Sequence, residues 1–115
     1  MRNLKKGTKM EFYNVEITNE ALSDMEQIYI HIAKNLSAPE NAGRQYERIA
    51  EAILKLNSLP ERFQVIESGP GRVDGIRRMQ VDNYSVFYVI RGNRVVVTNV
   101  LYSASDLSRR LKLKF

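Results

Sequence analysis

Two kinds of hydrophobic spacing divide the chain. From residue 75 to residue 106, three runs at 76–81, 84–90 and 95–102 are rich in Val, Ile, Tyr and Phe, with short turn-forming segments between them. That pattern predicts three antiparallel strands joined by hairpins. The turns fall at Asp82-Asn83 and at Arg91-Gly92-Asn93-Arg94, where Asn and Gly tolerate the positive φ angles of tight loops. In the middle run Tyr84, Val86, Tyr88 and Ile90 share one face and Ser85, Phe87 and Val89 the other. Both faces are largely apolar, so this strand should be central. In the first run Arg77 shares a face with Met79 and Val81, and Arg78 shares the other with Ile76 and Gln80. One of the two arginines must therefore point away from whichever face meets the core. Upstream, residues 11–18 also alternate, with Tyr13, Val15 and Ile17 opposed to Phe12 and Asn14, which predicts a first strand.

Between these strands the spacing becomes helical. Leu22, Met25, Ile28 or Tyr29, Ile32 and Leu36 form one apolar stripe, and Ala42, Tyr46, Ile49, Ile53 and Leu56 form a second. Thr18 or Asn19 can cap the first helix. Ser37 and Glu40 have capping-box spacing for the second, and Pro39 is tolerated in its first turn. Asn57-Ser58-Leu59-Pro60 stops it. Two antiparallel helices need a surface on which to bury their stripes, and the sheet supplies it. The expected fold is α+β: an N-terminal strand, then an antiparallel helical hairpin packed on a twisted antiparallel sheet of three to four further strands, with a short C-terminal helix or tail. Residues 63–67 read as a short strand or extended connection. Residues 68–75 hold three glycines and a proline and read as a mobile loop carrying Arg72.

The 115 residues suffice for one domain with a modest core, and contain no repeats. We expect a basic extension at 1–9, poorly ordered, and a single domain at 10–115, with either Met1 or Met10 as the start. No run is long and apolar enough to span a membrane and no secretory signal is visible, so a cytoplasmic protein is expected. There is no cysteine and one histidine, which excludes disulfides and the common zinc frameworks. No metal or cofactor is expected. The net charge of +5 is unevenly spread: residues 1–9 and 107–115 each hold four cations and no acid, leaving −3 for residues 10–106. Within that acidic body Arg72, Arg77, Arg78, Arg91 and Arg94 outnumber Asp74 and Asp82 along the predicted sheet, giving a local basic excess.

The segments Y-N-V-E-I-T at 13–18, A-L-S-D-M-E-Q-I at 21–28, L-x-x-x-P at 56–60, G-I-R-R-M-x-V-x-N-Y-x-V-F-Y at 75–88 and V-L-Y-S-A-S-D-L at 100–107 occur in this order. In order and spacing the chain resembles the RelE/ParE superfamily, the toxin halves of bacterial type II toxin–antitoxin systems. The resemblance implies a growth inhibitor neutralised by a cognate antitoxin protein. It leaves two targets open. ParE-like members inhibit DNA gyrase and need no catalytic residue; RelE-like members cleave mRNA on the translating ribosome without a metal, so whether this chain is an enzyme also stays open. RNA cleavage by a 2′-oxygen needs a proton acceptor and cations for the phosphorane charge.

Aligned on Tyr84, the RelE arginine is Ser85 here, the basic residue after the last strand is replaced by Ser103-Ala104-Ser105, and the C-terminal tyrosine falls near Leu111; only Arg78 is roughly kept. The ParE-like pattern therefore fits better, although Ser105 stands where its members often have arginine. For an endoribonuclease the catalytic candidates are Arg77, Arg78, Tyr88 and Tyr102. Contacts to a target or nucleic acid fall to Arg72, Arg77, Arg78, Arg109 and Arg110. Antitoxin contacts fall to Leu107, Leu111, Leu113 and Phe115. Set against these, Tyr84 and Tyr88 read more simply as packing residues, and His31 as a surface or partly buried side chain.

Overall fold

A computed structural model of the chain describes residues 12–66 and 74–103. Strand β1 (Asn14–Ile17) leads into helix α1 (Asn19–Ile30), a single π-helical turn (His31–Asn35) and helix α2 (Pro39–Leu54). Two short 3-10 turns, Lys55–Asn57 and Pro60–Arg62, precede strands β2 (Arg77–Val81), β3 (Tyr84–Arg91) and β4 (Arg94–Tyr102). The sheet order is β1-β4-β3-β2.

The two predicted hairpins form, with Val81 opposite Tyr84 and Arg91 opposite Arg94. The sheet is mixed rather than wholly antiparallel, because β1 pairs with β4 in parallel, Asn14 to Arg94 through Ile17 to Val97. A parallel neighbour requires a long crossover, and the helical hairpin is the first part of one. Of the segment read as a strand or connection, the described residues 63–66 contribute a bridge, Val65 to Arg77, with the Ile66 N–H donating to the Ile76 carbonyl (2.9 Å) on the outer edge of β2.

Thr18 ends the strand and begins the helix. Its N–H donates to the Val97 carbonyl at 3.0 Å, while its hydroxyl accepts from the Ala21 N–H at 3.1 Å and donates to the Thr98 carbonyl at 3.2 Å. The capping box at Ser37 and Glu40 does not form. Ser37 takes a positive φ of 53°, and Ala38 occupies the capping position without a side-chain bond. Pro39 sits in the first turn as expected.

The second stripe buries as its spacing predicts, with Ala42, Ile49, Ile53 and Leu56 closed off and Tyr46 packed at their margin. The first stripe is rotated. Ala21 and Met25 are buried, whereas Leu22 is 41% and Leu36 60% exposed. Helices α1 and α2 cover the sheet face carrying Met79, Val81, Val86, Tyr88, Val95, Val97 and Val100. A second cluster, Ile76, Phe87, Val89 and Leu101, lies on the opposite face with Ile66 and Val96 against it.

A β-bulge sets this division in β4. Phe87 pairs with Asn99 and Tyr88 with Val97, leaving Thr98 unpaired between them. One extra residue shifts the alternation, so Val97 and Val100 both face the helices while Val96 and Leu101 face away. Among the described residues no helix is long and apolar enough to cross a membrane.

Candidate functional site

The register separates the residues that sequence alone grouped as a cleavage site. Arg77 lies opposite Tyr88 and Arg78 opposite Phe87, so the arginines point to opposite faces of the sheet. Arg77, on the helix side, donates through Nη1 to the carbonyls of Glu61 (3.0 Å) and Phe63 (2.6 Å). Its guanidinium ties down the turn that follows α2. Arg78 is exposed on the far face.

Tyr88 is fully buried and its hydroxyl donates to the Pro60 carbonyl at 2.6 Å. Burial pushes this hydroxyl up to about 12, against a partial downward pull from Arg77 and Arg62. A phenol sealed in the core and held neutral neither reaches a substrate nor takes a proton near neutrality, so Tyr88 leaves the catalytic set. Arg77 and Tyr88 together brace the 59–63 segment, in which Leu59 adopts a φ of 50°.

Tyr102 closes β4, where it pairs with Tyr84. The two rings meet edge to face, 5.7 Å between centroids at 63°. Tyr102 is 45% exposed, while burial, followed by the neighbouring Tyr102, raises the Tyr84 hydroxyl above its ordinary value. Tyr84 and Tyr88 stand four residues apart on β3, about 13 Å along a strand, so the backbone positions of Tyr102 and Arg77, their respective partners, are separated along the sheet by about as much. Arg72, Arg109, Arg110, Leu107, Leu111, Leu113 and Phe115 lie outside the described residues.

The structure adds a site the sequence reading missed. Past Ile17, β4 continues without its β1 neighbour, and α1 crosses beside the uncovered edge. There the Asp24 carboxylate accepts the Val100 N–H at 2.9 Å and the Asn99 amide at 3.5 Å. A side chain thus takes the place of a strand and satisfies a backbone donor that would otherwise be orphaned. Alongside this contact runs a groove of about 530 Å³. Its wall is one face of α1 and the π-helical turn: Asp24, Gln27, Ile28 and His31, then Leu36. Its other side is Val100 and Tyr102 with Asn83 and Tyr84. The Asn35 amide nitrogen lies 3.0 Å from His31 Nδ1 and orients that ring. The steps from Asp24 to Gln27 or Ile28 and on to His31 are a one-face helical spacing, visible in the sequence but carrying no sign of a cleft until the end of β4 is placed against it.

The opposite side of the hairpin is fixed differently. Asp82, in the β2–β3 turn at a φ of 55°, accepts from Arg48 Nε (2.7 Å), Arg48 Nη2 (2.8 Å) and Gln45 Nε2 (3.0 Å) on α2. The Arg48 hydrogen bond, then that of Gln45, lowers the Asp82 carboxyl to about 2. Among the described residues no cluster of His, Asp and Glu could hold a metal ion.

The model of the ParE toxin of the type II toxin–antitoxin system parDE matches residues 15–107, which includes all but the first residue of β1, the helical hairpin, strands β2 to β4 and the groove. The chain belongs to the ParE toxin family. It is the toxin component of a type II toxin–antitoxin module. Solved structures similar to this ParE-family chain include a chromosomal ParDE toxin–antitoxin system from P. aeruginosa. That likeness has a TM-score of 0.67 and 20% identity, covering 79% of this chain and 96% of that one. An archaeal RelE–RelB complex from Pyrococcus horikoshii gives a TM-score of 0.54 at 20% identity, covering 82% and 98%. The RelBE2 toxin–antitoxin complex from Mycobacterium tuberculosis gives 0.53 at 22%, covering 84% and 98%. At such identities the likeness establishes the RelE/ParE-like fold. Comparison with curated protein sequences finds no match.

Proposed function

We propose that this ParE-family toxin arrests growth as a binding inhibitor of DNA gyrase, not as a ribosome-dependent endoribonuclease, and that a peptide segment of its antitoxin holds it in the resting cell. The observation that carries the reading is the dispersal of the cleavage candidates. Arg77 and Arg78 leave β2 on opposite faces, Arg77 is engaged by two carbonyls, and the Tyr88 hydroxyl is buried on a third. Metal-free cleavage needs proton acceptor and phosphate-binding cations on one reacting centre, about 3 Å from the atoms they serve. An inhibitor that works by occupying a partner's surface needs no such convergence.

The test is pulse expression in bacteria, with DNA and protein synthesis labelled separately and mRNA 5′ ends mapped. Early arrest of DNA synthesis with an SOS response and intact messages is the expected result. Rapid loss of protein synthesis with new cuts inside translated codons would overturn it in favour of the nuclease.

A further inference from the structure

The sheet has two apolar faces, and the described helices cover one of them. Helices α1 and α2 lie on the face of Met79, Val86 and Tyr88. On the other face Phe87 is 0%, Ile76 and Leu101 1% and Val89 5% exposed, yet the described side chains packed against this cluster are Ile66 and Val96. Val96 belongs to the sheet itself, and Ile66 extends its edge beside β2. A sheet face with no layer over it stays in contact with water. Burial this complete in the middle of β3 therefore requires a further piece of chain across the face. Three stretches lie outside the described residues, 1–11, 67–73 and 104–115.

The end of β4 chooses among them. Tyr102 turns to the helix side, against Tyr84, and Ser103 turns to the other. Its hydroxyl lies 2.7 Å from that of Ser85 and accepts from Gln80 Nε2 at 2.9 Å, while its N–H donates to the Asn83 carbonyl at 2.8 Å. Ser85 is fully buried and shares its face with Phe87 and Val89. These bonds direct the chain at residue 103 onto the face that needs a cover. Composition makes the same choice. Residues 67–73 hold one aliphatic side chain, Val73, and residues 1–11 hold Met1, Leu4 and Met10 with no period. Residues 104–115 hold Leu107, Leu111 and Phe115 at four-residue steps, preceded by Asp106, a residue type that caps helices. So short a helix is marginal alone in water and needs a surface for its stripe. From 107 to 115 it would be about 13 Å long, close to the roughly 13 Å that separates Ser85 from Val89 along β3.

We propose that residues 104–115 turn back across the face of Phe87, Val89 and Leu101 as a short helix, with Leu107, Leu111 and Phe115 set against the sheet. The inference does not depend on the toxin's target. Leu113 falls on the outward side of such a helix. Of the four apolar residues expected at the antitoxin, three then close the toxin's own fold and one stays open to a partner.

The chain has no cysteine, so Val89→Cys places a single thiol under the cover. Its reaction with Ellman's reagent is followed in the full-length chain, alone and combined with Leu111→Ala, Phe115→Ala, Leu113→Ala, or Leu4→Ala and Val73→Ala together. Leu111→Ala and Phe115→Ala should each speed labelling about ten-fold or more, because they weaken the cover and raise the population of its open form. Leu113→Ala and the Leu4 and Val73 pair should leave the rate within about two-fold. Urea midpoints of the same variants with Val89 intact give a second readout, independent of how the cysteine packs. The midpoint should fall for Leu111→Ala and Phe115→Ala and hold for Leu113→Ala, with circular dichroism checking that each variant is folded. Labelling and midpoints unmoved by Leu111→Ala and Phe115→Ala overturn the proposal. So does an equal response to Leu113→Ala, or exposure of the thiol by the Leu4 and Val73 pair instead.

Discussion

Replacing Tyr88 by Phe removes one oxygen from the centre of the fold. The ring remains in a fully buried position among Met79, Val86 and Val97, so the apolar contribution is nearly unchanged. What disappears is the 2.6 Å donation to the Pro60 carbonyl, and Pro60 is itself buried. A buried acceptor left without its donor costs about 1–3 kcal/mol. Because the Arg77 guanidinium still braces the neighbouring carbonyls of Glu61 and Phe63, the lower half of that range is expected, about 1–2 kcal/mol. With a urea slope of roughly 1.5 kcal/mol per molar, the midpoint should fall by about 1 M at unchanged slope.

The pH dependence gives a second check. The Tyr88 hydroxyl titrates at about 12 in the fold, above the ordinary value near 10 of an unfolded tyrosine. Between those values the folded state binds more protons than the unfolded one, so this group's contribution to stability is whole below about pH 10 and is lost as pH rises towards about 12. The stability difference between wild type and Tyr88→Phe should therefore be constant up to about pH 10 and shrink above it. Equal midpoints at neutral pH, or a difference that stays constant across the alkaline range, would refute the claim that this hydroxyl is committed to the Pro60 carbonyl.

The Asp82 turn should behave in the opposite sense. Its carboxyl is lowered to about 2 from an ordinary 3.8, so its stabilisation is present above about pH 4 and lost as pH falls through about 2. Asp82→Asn should lower the urea midpoint near neutrality, with the gap to wild type closing over that acid window; the pair is largely exposed, so a small effect is expected. The two adjacent arginines should separate in equilibrium unfolding. Arg77→Ala, which frees the carbonyls of Glu61 and Phe63, should cost about 1 kcal/mol. Arg78→Ala, on the exposed face, should stay within about 0.5 kcal/mol of wild type.

Much of this protein is local information, and local information is legible in a sequence. The Asp82-Asn83 and Gly92-Asn93 turns fix both hairpins because the strands they join are neighbours in the chain, and turn chemistry alone sets their register. The stripe from Ala42 to Leu56 needed no knowledge of its partner, since a helix of that spacing has one face to bury. Alternation likewise required Arg77 and Arg78 to part company, whereas Tyr88 stood in the sequence both as a catalytic candidate and as a packing residue, and only the placement of its hydroxyl on the Pro60 carbonyl separated the two.

What the tertiary structure alone decided is everything that depends on residues distant in the chain. Nothing in residues 11–18 says that β1 pairs in parallel with β4, because period-two alternation fits either direction. The bulge at Thr98, where the β3–β4 register shifts just past the last β1–β4 pair, Ile17 to Val97, is likewise visible only once the strands are paired. Leu22 and Leu36 satisfied the helical period yet emerge at the surface, because the covering of α1 is set by where the end of β4 passes beneath it. The groove belongs to the same class. Asp24 and Tyr102 are 78 residues apart in the chain, and they share a cleft only because β1 stops at Ile17 while β4 runs on to Tyr102. Spacing can assign a side chain to a face; the long-range packing that opposes one face to another is what makes a site.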